Sequence, residues 1–197
     1  MKLEKTIAVG DIHACSTQLK ELLLKLESIP EALLVFLGDY INYGTQNRET
    51  IDTLRSLNRK AIFLFGNHEE WLLKLWEENE AHPIKRRQIL EYYNFTEDHL
   101  SWFKENLVYS FENDYAFFSH AGVDDRKRLK EQIKYDLLNS AFKENLDHVT
   151  QKLVVQGHIP MQEVTNYGNH WFVDTGCGYG GRLSALVYPS LEIISVN

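Results

Sequence analysis

The first third of the chain alternates short apolar runs with amphipathic segments. The apolar runs have the length of buried strands and occupy residues 6–9, 34–37 and 61–65. Between the first two runs, Leu19, Leu22 and Leu26 recur at the spacing of one helix face, and residues 47–57 carry a similar pattern. Strands that alternate with helices predict parallel strands joined by crossover helices. We therefore expect an α/β fold.

The middle of the chain differs from this pattern. Residues 77–107 are polar, rich in aromatic side chains and interrupted by Pro83. A helix is predicted there, with Leu100 and Phe103 on one face. Because about 30 residues are too few to bury a core of their own, we interpret this region as a helical insertion in a single domain that spans residues 1–197.

The second half of the chain contains further strand patterns. Apolar runs at residues 115–119 and 153–156 predict two more strands. Between them, Leu129, Ile133 and Leu137 are spaced as on one helix face. Short strand patterns separated by glycine-rich turns follow at residues 171–174, 185–188 and 192–196. These last patterns predict an antiparallel meander.

Five predicted strands end at a glycine or serine that is followed by a carboxylate, amide or imidazole side chain. The polar residues at these ends are Asp11, His13, Asp39, Asn67, His68, His120 and His158. Singly, Asp11 could cap a helix and Asn67 could belong to a turn. Recurrence at five strand ends favours one shared site, because ligands bind at the carboxyl ends of strands in α/β sheets.

The chemistry of these side chains predicts a metal site. Carboxylate, amide and imidazole donors suit manganese, iron or zinc, and the absence of thiolates argues against a structural zinc site of the cysteine type. Asp11 and His13 are two residues apart, so their side chains project to the same side of an extended backbone. Asp39 follows a central strand and is predicted to bridge two metal ions, as in two-metal hydrolases.

Composition narrows the possible partners and the compartment. The 197 residues include 21 Lys and Arg and 28 Asp and Glu, which gives a formal net charge of −7. Such a chain lacks the basic face that binds a nucleic-acid duplex, and no apolar run approaches the roughly 18 residues of a membrane span. Cys15 and Cys177 are predicted to be reduced thiols. No signal peptide is recognisable after Met1, so the expected compartment is the cytoplasm.

The polar strand ends also match a known set of motifs. They are Gly10-Asp11-Ile12-His13, Gly38-Asp39, Gly66-Asn67-His68-Glu69, His120-Ala121-Gly122 and Gly157-His158. In this order they resemble the metal motifs of the calcineurin-like metallophosphoesterases. The closest forms are the bacterial and phage serine/threonine phosphatases and the symmetrical dinucleoside tetraphosphatases. The resemblance implies a four-layer α/β/β/α sandwich of two mixed sheets.

The resemblance further implies a role for each motif residue. The metal ligands would be Asp11, His13 and Asp39 for one ion, and Asp39, Asn67, His120 and His158 for the other. His68 would be the general acid that protonates the leaving oxygen. The implied reaction is hydrolysis of phosphate esters, as in a serine/threonine protein phosphatase, by direct attack of water activated by two metal ions. Manganese and iron are the implied ions, with zinc as an alternative, and the substrate would be a phosphoprotein, a phosphomonoester or a nucleotide.

The sequence departs from the family pattern around its second motif. Asn42 replaces the aspartate that orients the general-acid histidine; we keep it in the catalytic group, but His68 should be a weaker acid. Tyr43 replaces a phosphate-binding arginine and offers one neutral hydrogen bond to substrate. A second phosphate-binding arginine is absent from residues 137–141. Arg182 matches a family position near the site and is the candidate substitute for substrate binding.

Loss of both arginines with every metal ligand retained leaves two alternatives to a protein phosphatase. In the first, the chain hydrolyses a dinucleoside polyphosphate or another nucleotide, held by aromatic groups such as Tyr40, Tyr43 or Trp71. Trp71, however, lies at helical spacing with apolar neighbours and is predicted to belong to the core. In the second, the chain is a catalytically weak metal-dependent protein that binds a phosphorylated partner. The retention of His68 favours an enzyme.

Overall fold

A computed structural model describes residues 5–197. Within these residues the strands are β1 (Thr6–Val9), β2 (Leu33–Phe36), β3 (Ala61–Leu64), β4 (Leu107–Val108), β5 (Ser110–Glu112), β6 (Ala116–Ser119), β7 (Leu153–Gln156), β8 (Thr165–Tyr167), β9 (His170–Phe172), β10 (Leu183–Tyr188) and β11 (Glu192–Val196). The α-helices are α1 (Ser16–Leu26), α2 (Asn47–Arg55), α3 (Asn67–Glu78), α4 (Pro83–Tyr93), α5 (Glu97–Asn106) and α6 (Lys134–Asn139). Short 3₁₀ helices lie at Leu129–Glu131 and Cys177–Tyr179.

The strands form two mixed sheets. The first sheet has the order β11-β10-β1-β2-β3-β4; strands β1 to β4 are parallel, and β10 and β11 extend it in antiparallel pairs. The second sheet has the order β5-β6-β7-β9-β8; β6, β7 and β9 are parallel, and the two outer strands are antiparallel to their neighbours. The prediction of an α/β fold with parallel strands and crossover helices is confirmed.

Successive side chains along a strand point to opposite faces of the sheet, so each sheet packs against a different layer on each of its faces. Ile7 of β1 belongs to an apolar cluster with Leu19 of α1, on the helix-covered face of the first sheet. The next residue, Ala8, points the opposite way and shares a second cluster with Val155 of β7, between the two sheets. A third cluster covers the outer face of the second sheet and includes Leu137 of α6. The predicted four-layer α/β/β/α sandwich is therefore confirmed.

The middle of the chain folds into α4 and α5. Pro83 is the first residue of α4, where a missing N–H is harmless because first-turn amides have no partner within the helix. It therefore begins a helix, whereas the sequence pattern had indicated an interruption. Leu100 and Phe103 of α5 are buried in the cluster that covers the first sheet. The helices at residues 77–107 thus share the core of that sheet.

Two predictions about the second half of the chain are wrong. Leu129 and Leu137 do not share a helix, because the backbone is extended at Ile133 and α6 begins only after it. The Asp136 carboxylate accepts the N–H of Ile133 and holds this start of α6. The C-terminal strands do not form one meander either. Strand β9 pairs with β7 and β8, whereas β10 pairs with β1 and β11, so the strands belong to different sheets.

The two cysteines, Cys15 and Cys177, are free thiols, as their spacing predicted. No helix within residues 5–197 combines the length and the hydrophobicity that crossing a membrane requires. The prediction that the chain lacks a signal peptide rests partly on residues 1–4, which lie outside the described residues.

Candidate metal centre

The carboxyl ends of five strands, from both sheets, meet at one edge of the sandwich. The loops after β1, β2, β3, β6 and β7 bring the predicted ligands and the predicted acid together: Asp11, His13, Asp39, Asn67, His68, His120 and His158. Two groups of donors have their ligand atoms within 4.8 Å of one another, namely His13, Asp39 and His68, and Asp39, His120 and His158. Asp39 is common to both groups.

Asp39 lies at the centre of this arrangement. Its Oδ2 atom is 3.7 Å from Nε2 of His13, 3.8 Å from Nε2 of His68 and 3.5 Å from Nε2 of His120. The Nε2 atom of His13 is in turn 3.9 Å from Oδ2 of Asp11. These separations are longer than good hydrogen bonds, so the donor atoms face a common space.

Asn67, His120 and His158 form a tighter group beside Asp39. Oδ1 of Asn67 lies 2.8 Å from Nε2 of His120 and 3.1 Å from Nδ1 of His158. The two imidazole nitrogens are 3.1 Å apart. Three atoms that can each present a lone pair therefore converge on one point, an arrangement that a cation stabilises.

Backbone carbonyls fix the orientation of two of the imidazoles. Nδ1 of His13 donates to the carbonyl of Ile41 at 3.0 Å, and Nδ1 of His120 donates to the carbonyl of Leu37 at 2.9 Å. Each hydrogen bond places the proton on Nδ1 and leaves the Nε2 lone pair directed towards Asp39. Metal-binding histidines in proteins are commonly held in this way.

Two glycines permit the close approach of the carboxylates. A Cβ atom at Gly66 would lie 2.0 Å from Oδ1 of Asp39, and one at Gly157 would lie 1.9 Å from Oδ1 of Asp11. The backbone N–H groups that follow these glycines bind the same carboxylates: His68 donates to Asp39 at 3.1 Å, and His158 donates to Asp11 at 3.0 Å. The glycines of the sequence motifs are therefore needed for contact between neighbouring strand ends.

The charges of the site fit a group of metal ions. Burial raises the pKa of Asp11, and the carboxylates of Asp174 and Asp39 raise it further. Burial and the charge of Glu69 likewise raise the pKa of Asp39. Burial lowers the pKa of His13 to about 4, so this imidazole is neutral and able to act as a ligand. Bound cations would offset the buried negative charge, and the donor set therefore fits them chemically.

Glu69 supports the loop that carries Asp39. It is fully buried, and its Oε2 accepts the N–H of Asp39 at 3.0 Å and that of Gly66 at 3.1 Å. Its Oε1 accepts the N–H of Tyr40 at 2.8 Å and that of Ile41 at 3.3 Å. Burial raises the pKa of Glu69 to about 7, although these hydrogen bonds act in the opposite direction. The side chain thus fixes the turn between β2 and α2.

We expect Glu69→Gln to lower the free energy of unfolding by about 2–4 kcal/mol, because an amide NH₂ would face two buried backbone N–H groups. Urea denaturation of the metal-free protein measures this difference. Glu78→Gln, on the exposed side of the same helix, is the matched control and should change stability by less than about 0.5 kcal/mol. Equal effects of the two substitutions would contradict a supporting role for Glu69.

Asn42 contacts the predicted general acid. Its side-chain amide nitrogen lies 2.6 Å from Nδ1 of His68. The backbone of Asn42 is left-handed, with φ of 70°, a conformation that asparagine tolerates better than most residues. Its own N–H donates to the side chain of Asn47 at 2.9 Å. Asn42 therefore occupies the position from which a side chain can orient the His68 ring.

The predicted substrate-binding residues have different surroundings. Tyr43 is 55% exposed, and its ring centroid lies 4.7 Å from that of His13 and 4.6 Å from that of Tyr179. Arg182 lies on an exposed loop, where its guanidinium donates to the carbonyl of Gln162 at 3.0 Å. It is not among the residues that line the cleft beside His68.

The two other aromatic candidates are placed differently from the sequence prediction. Tyr40 is fully buried, and its hydroxyl donates to the carbonyl of Leu64 at 2.7 Å, so it cannot contact substrate. Trp71 is 55% exposed, whereas Trp76 of the same helix is only 7% exposed. The prediction that Trp71 belongs to the core is therefore wrong, because the buried face of α3 holds Leu72 and Trp76 and leaves Trp71 exposed.

A cleft of about 1090 Å³ opens from the predicted acid. Asn42, Tyr43, Asn67 and His68 line the end near the metal centre, and residues of α3 and α4 line the rest together with Gly44, Asn47 and Asn139. Lys85 is the only lysine or arginine that lines it within residues 5–197. The cleft is thus much larger than a phosphate group and carries little positive charge.

Three residues near the centre received no role from the sequence. Glu69 belongs to the Gly66–Glu69 motif, and this position could have indicated a role. Its contacts with backbone N–H groups, however, depend on the folded turn. Asp174 is buried, and burial raises its pKa to about 6. Tyr179 packs on Tyr43, and only its position in a glycine-rich loop could have indicated an exposed aromatic residue.

The two mixed sheets and the donor set are those of a metallophosphoesterase, a metal-dependent phosphoric ester hydrolase. The chain belongs to the family described as Calcineurin-like phosphoesterase, whose sequence profile matches residues 4–185. Enzymes of this family depend on two metal ions, and the carboxylate and imidazole groups described above can hold such ions.

Several similar proteins have names that concern dinucleoside polyphosphates. The chain is 26% identical to the asymmetrical bis(5'-nucleosyl)-tetraphosphatase PrpE of Anoxybacillus flavithermus, over 95% of this chain and 92% of the relative. It is 41% identical to a symmetrical bis(5'-nucleosyl)-tetraphosphatase of Janthinobacterium sp., over 36% of this chain and 26% of the relative.

Solved structures resemble the whole chain. A candidate diadenosine tetraphosphatase superposes with a TM-score of 0.77 at 25% identity and covers 99% of this chain and 94% of its own. A cold-active protein tyrosine phosphatase superposes with a TM-score of 0.71 at 17% identity, covering 98% of this chain and 77% of its own, which supports the fold alone. Together with the family match, these similarities support hydrolysis of phosphate esters, and they do not specifically support the protein phosphatase activity expected from the sequence.

Proposed function

We propose that the chain hydrolyses dinucleoside polyphosphates. The observation that carries this proposal is the cleft of about 1090 Å³ that opens from His68 and is lined by aromatic and uncharged polar side chains, with Lys85 as its only lysine or arginine within residues 5–197. A phosphomonoesterase needs charged groups that clamp one phosphate, and here Tyr43 and Asn139 line the cleft without an arginine. The relatives named tetraphosphatases, which align over 95% of the chain, support the same substrate class.

In this proposal the predicted ligands hold two metal ions. One ion is bound by Asp11, His13 and Asp39, and the other by Asp39, Asn67, His120 and His158. When bound, such ions lower the pKa of water and neutralise charge on phosphoryl oxygens. Manganese or iron suits these oxygen and nitrogen donors, and zinc is the alternative.

His68 is proposed to donate a proton to the leaving phosphate oxygen. Its Nε2 atom faces the centre, 3.8 Å from Oδ2 of Asp39, and its Nδ1 atom is held by Asn42 at 2.6 Å. Because Asn42 carries no charge, it orients the ring but stabilises the imidazolium form less than an aspartate would. Tyr43, beside His68, is proposed to contact the substrate phosphates through its hydroxyl.

Product analysis on the metal-loaded protein tests this function. The protein should be assayed with Mn²⁺, Fe²⁺ or Zn²⁺ against diadenosine tetraphosphate, ATP, phenyl phosphate and a phosphoserine peptide. We expect kcat/KM for diadenosine tetraphosphate to exceed that for the peptide at least tenfold. Chromatography distinguishes asymmetrical cleavage to ATP and AMP from symmetrical cleavage to ADP. Preferred hydrolysis of the peptide, or no hydrolysis of diadenosine tetraphosphate, would reject the proposal.

Asn42→Asp should accelerate hydrolysis of esters with poor leaving groups. The aspartate is nearly isosteric, and its charge beside Nδ1 of His68 would raise the pKa of the imidazole and favour the acid form. We expect kcat for phenyl phosphate to rise by about tenfold, since one pKa unit corresponds to about 1.4 kcal/mol. A pH profile should show the descending limb move to higher pH. A lower rate with an unchanged profile would contradict the role of Asn42.

A further inference from the structure

We propose that α3 and α4 form a nucleoside-binding subsite, in which the base lies against Trp71 and Tyr92. The inference rests on the proposed function, because it assigns one part of the dinucleoside polyphosphate to a particular wall of the same site. It explains the helices at residues 77–107, which contain none of the predicted metal ligands.

The subsite is continuous with the metal centre. Asn67 and His68 begin α3, and Trp71, Leu75 and Asn79 follow at intervals of one helical turn along the same cleft. The 12 residue-to-residue steps from Asn67 to Asn79 correspond to about 18 Å, at about 1.5 Å per step. A substrate whose phosphorus lies near His68 therefore has space for a nucleoside along α3.

The opposite wall is one face of α4. The residues of α4 that line the cleft are Lys85, Gln88, Ile89, Tyr92 and Tyr93, at positions i, i+3, i+4, i+7 and i+8. Such spacing places them on a single side of the helix. Residues of α3 and of α4 thus line the same cleft, and an occupant of that cleft can contact both helices.

The exposed aromatic residues indicate a planar occupant. Trp71 is 55% exposed and Tyr92 is 76% exposed, whereas their neighbours Trp76 and Tyr93 are 7% and 3% exposed. The buried pair belongs to the core of the first sheet, but the exposed pair adds nothing to it. Both exposed rings line the cleft, where they can stack on a base.

The polar groups favour a nucleotide over a phosphorylated peptide. Gln88 and Asn79 present amides, which can pair with the donor and acceptor edge of a purine. Lys85 adds one positive charge on the same wall, suited to a phosphate chain. Binding of a phosphotyrosine would require several charged side chains around a single phosphate. No such group of side chains is present among the lining residues of the described chain.

Steady-state kinetics of Trp71→Ala and Tyr92→Ala test the subsite. We expect KM for diadenosine tetraphosphate to rise about 10- to 100-fold in each variant. The rise in KM for 4-nitrophenyl phosphate should be at least tenfold smaller than this. Trp71→Phe, which retains a stacking ring, should recover most of the affinity. Tyr135→Ala removes an exposed tyrosine outside the cleft and is the matched control for Tyr92; it should change neither substrate's KM.

A binding measurement separates failure of the subsite from failure of the proposed function. AMP is added to the metal-loaded wild type and to Trp71→Phe, and quenching of tryptophan fluorescence is recorded. We expect quenching in the wild type that is lost in Trp71→Phe. If diadenosine tetraphosphate is not hydrolysed but this quenching occurs, the proposed function fails and the subsite stands. If hydrolysis occurs but the Trp71 and Tyr92 variants have wild-type KM, or AMP gives no quenching that depends on Trp71, the subsite is wrong.

Discussion

Asp39→Asn is expected to reduce kcat on the order of 1000-fold and to lower the bound metal from two ions to one or none. Asp39 is the only residue shared by both groups of donors among residues 5–197, with Oδ2 between 3.5 and 3.8 Å from three imidazole nitrogens. An amide is a weaker ligand and cannot neutralise two cations. Loss of several kcal/mol of charge stabilisation in the transition state corresponds to this rate effect. Elemental analysis and initial rates measure the two quantities.

The fold of the variant provides the control. Asparagine is nearly isosteric with aspartate, and it removes a negative charge that burial and Glu69 disfavour. The metal-free Asp39→Asn protein should therefore unfold at a temperature no lower than the metal-free wild type. The wild type treated with a chelator should lose activity and regain it when Mn²⁺ is added, whereas the variant should not. Two bound ions and a rate within tenfold of wild type would show that Asp39 is not the bridging ligand.

The sequence located the parallel strands because their signal is local. Each apolar run is short, ends at a glycine or serine, and is followed by a polar residue, and the turns after β1, β2 and β3 depend on those few residues. The C-terminal strands carried a similar local signal, but their partners are distant in sequence: β10 pairs with β1, and β9 pairs with β7. Periodicity identifies a strand and cannot specify which sheet it joins.

The candidate site could likewise be predicted from the sequence only where its signal is local. The proposed ligand residues were recognisable because the motifs contain them directly. The exposure of Trp71 and the burial of Tyr40 could not be recognised in this way, because exposure depends on what packs against each side chain. Tyr40 is buried and its hydroxyl donates to the carbonyl of Leu64 in β3, whereas Trp71 lines a cleft that residues of α4 also line. The supporting contacts of Glu69 could not be predicted for a related reason. Its partners are backbone N–H groups whose directions follow from the left-handed turn at Asp39.

His68→Asn is expected to slow hydrolysis in proportion to the basicity of the leaving group. For phenyl phosphate the loss in kcat should be about 10²–10⁴-fold, because departure of the phenolate requires a proton. For 4-nitrophenyl phosphate, whose leaving group is more acidic, the loss should be about tenfold or less. A series of substituted phenyl phosphates measures the dependence. An equal loss for every ester would contradict a role in proton donation.

Metal content decides between the two roles that the geometry allows for His68. Its Nε2 atom lies near Asp39 like those of the proposed ligands, so the imidazole is close enough to bind a metal ion itself. We expect His68→Asn to retain two ions, and His82→Asn, which changes an exposed histidine at the start of α4, to retain both ions and full activity. Loss of an ion in His68→Asn would identify His68 as a ligand. If His68 is the acid, its neutral partner Asn42 is consistent with the proposed substrate, since a nucleotide phosphate is a better leaving group than an alcohol and needs less help from a proton.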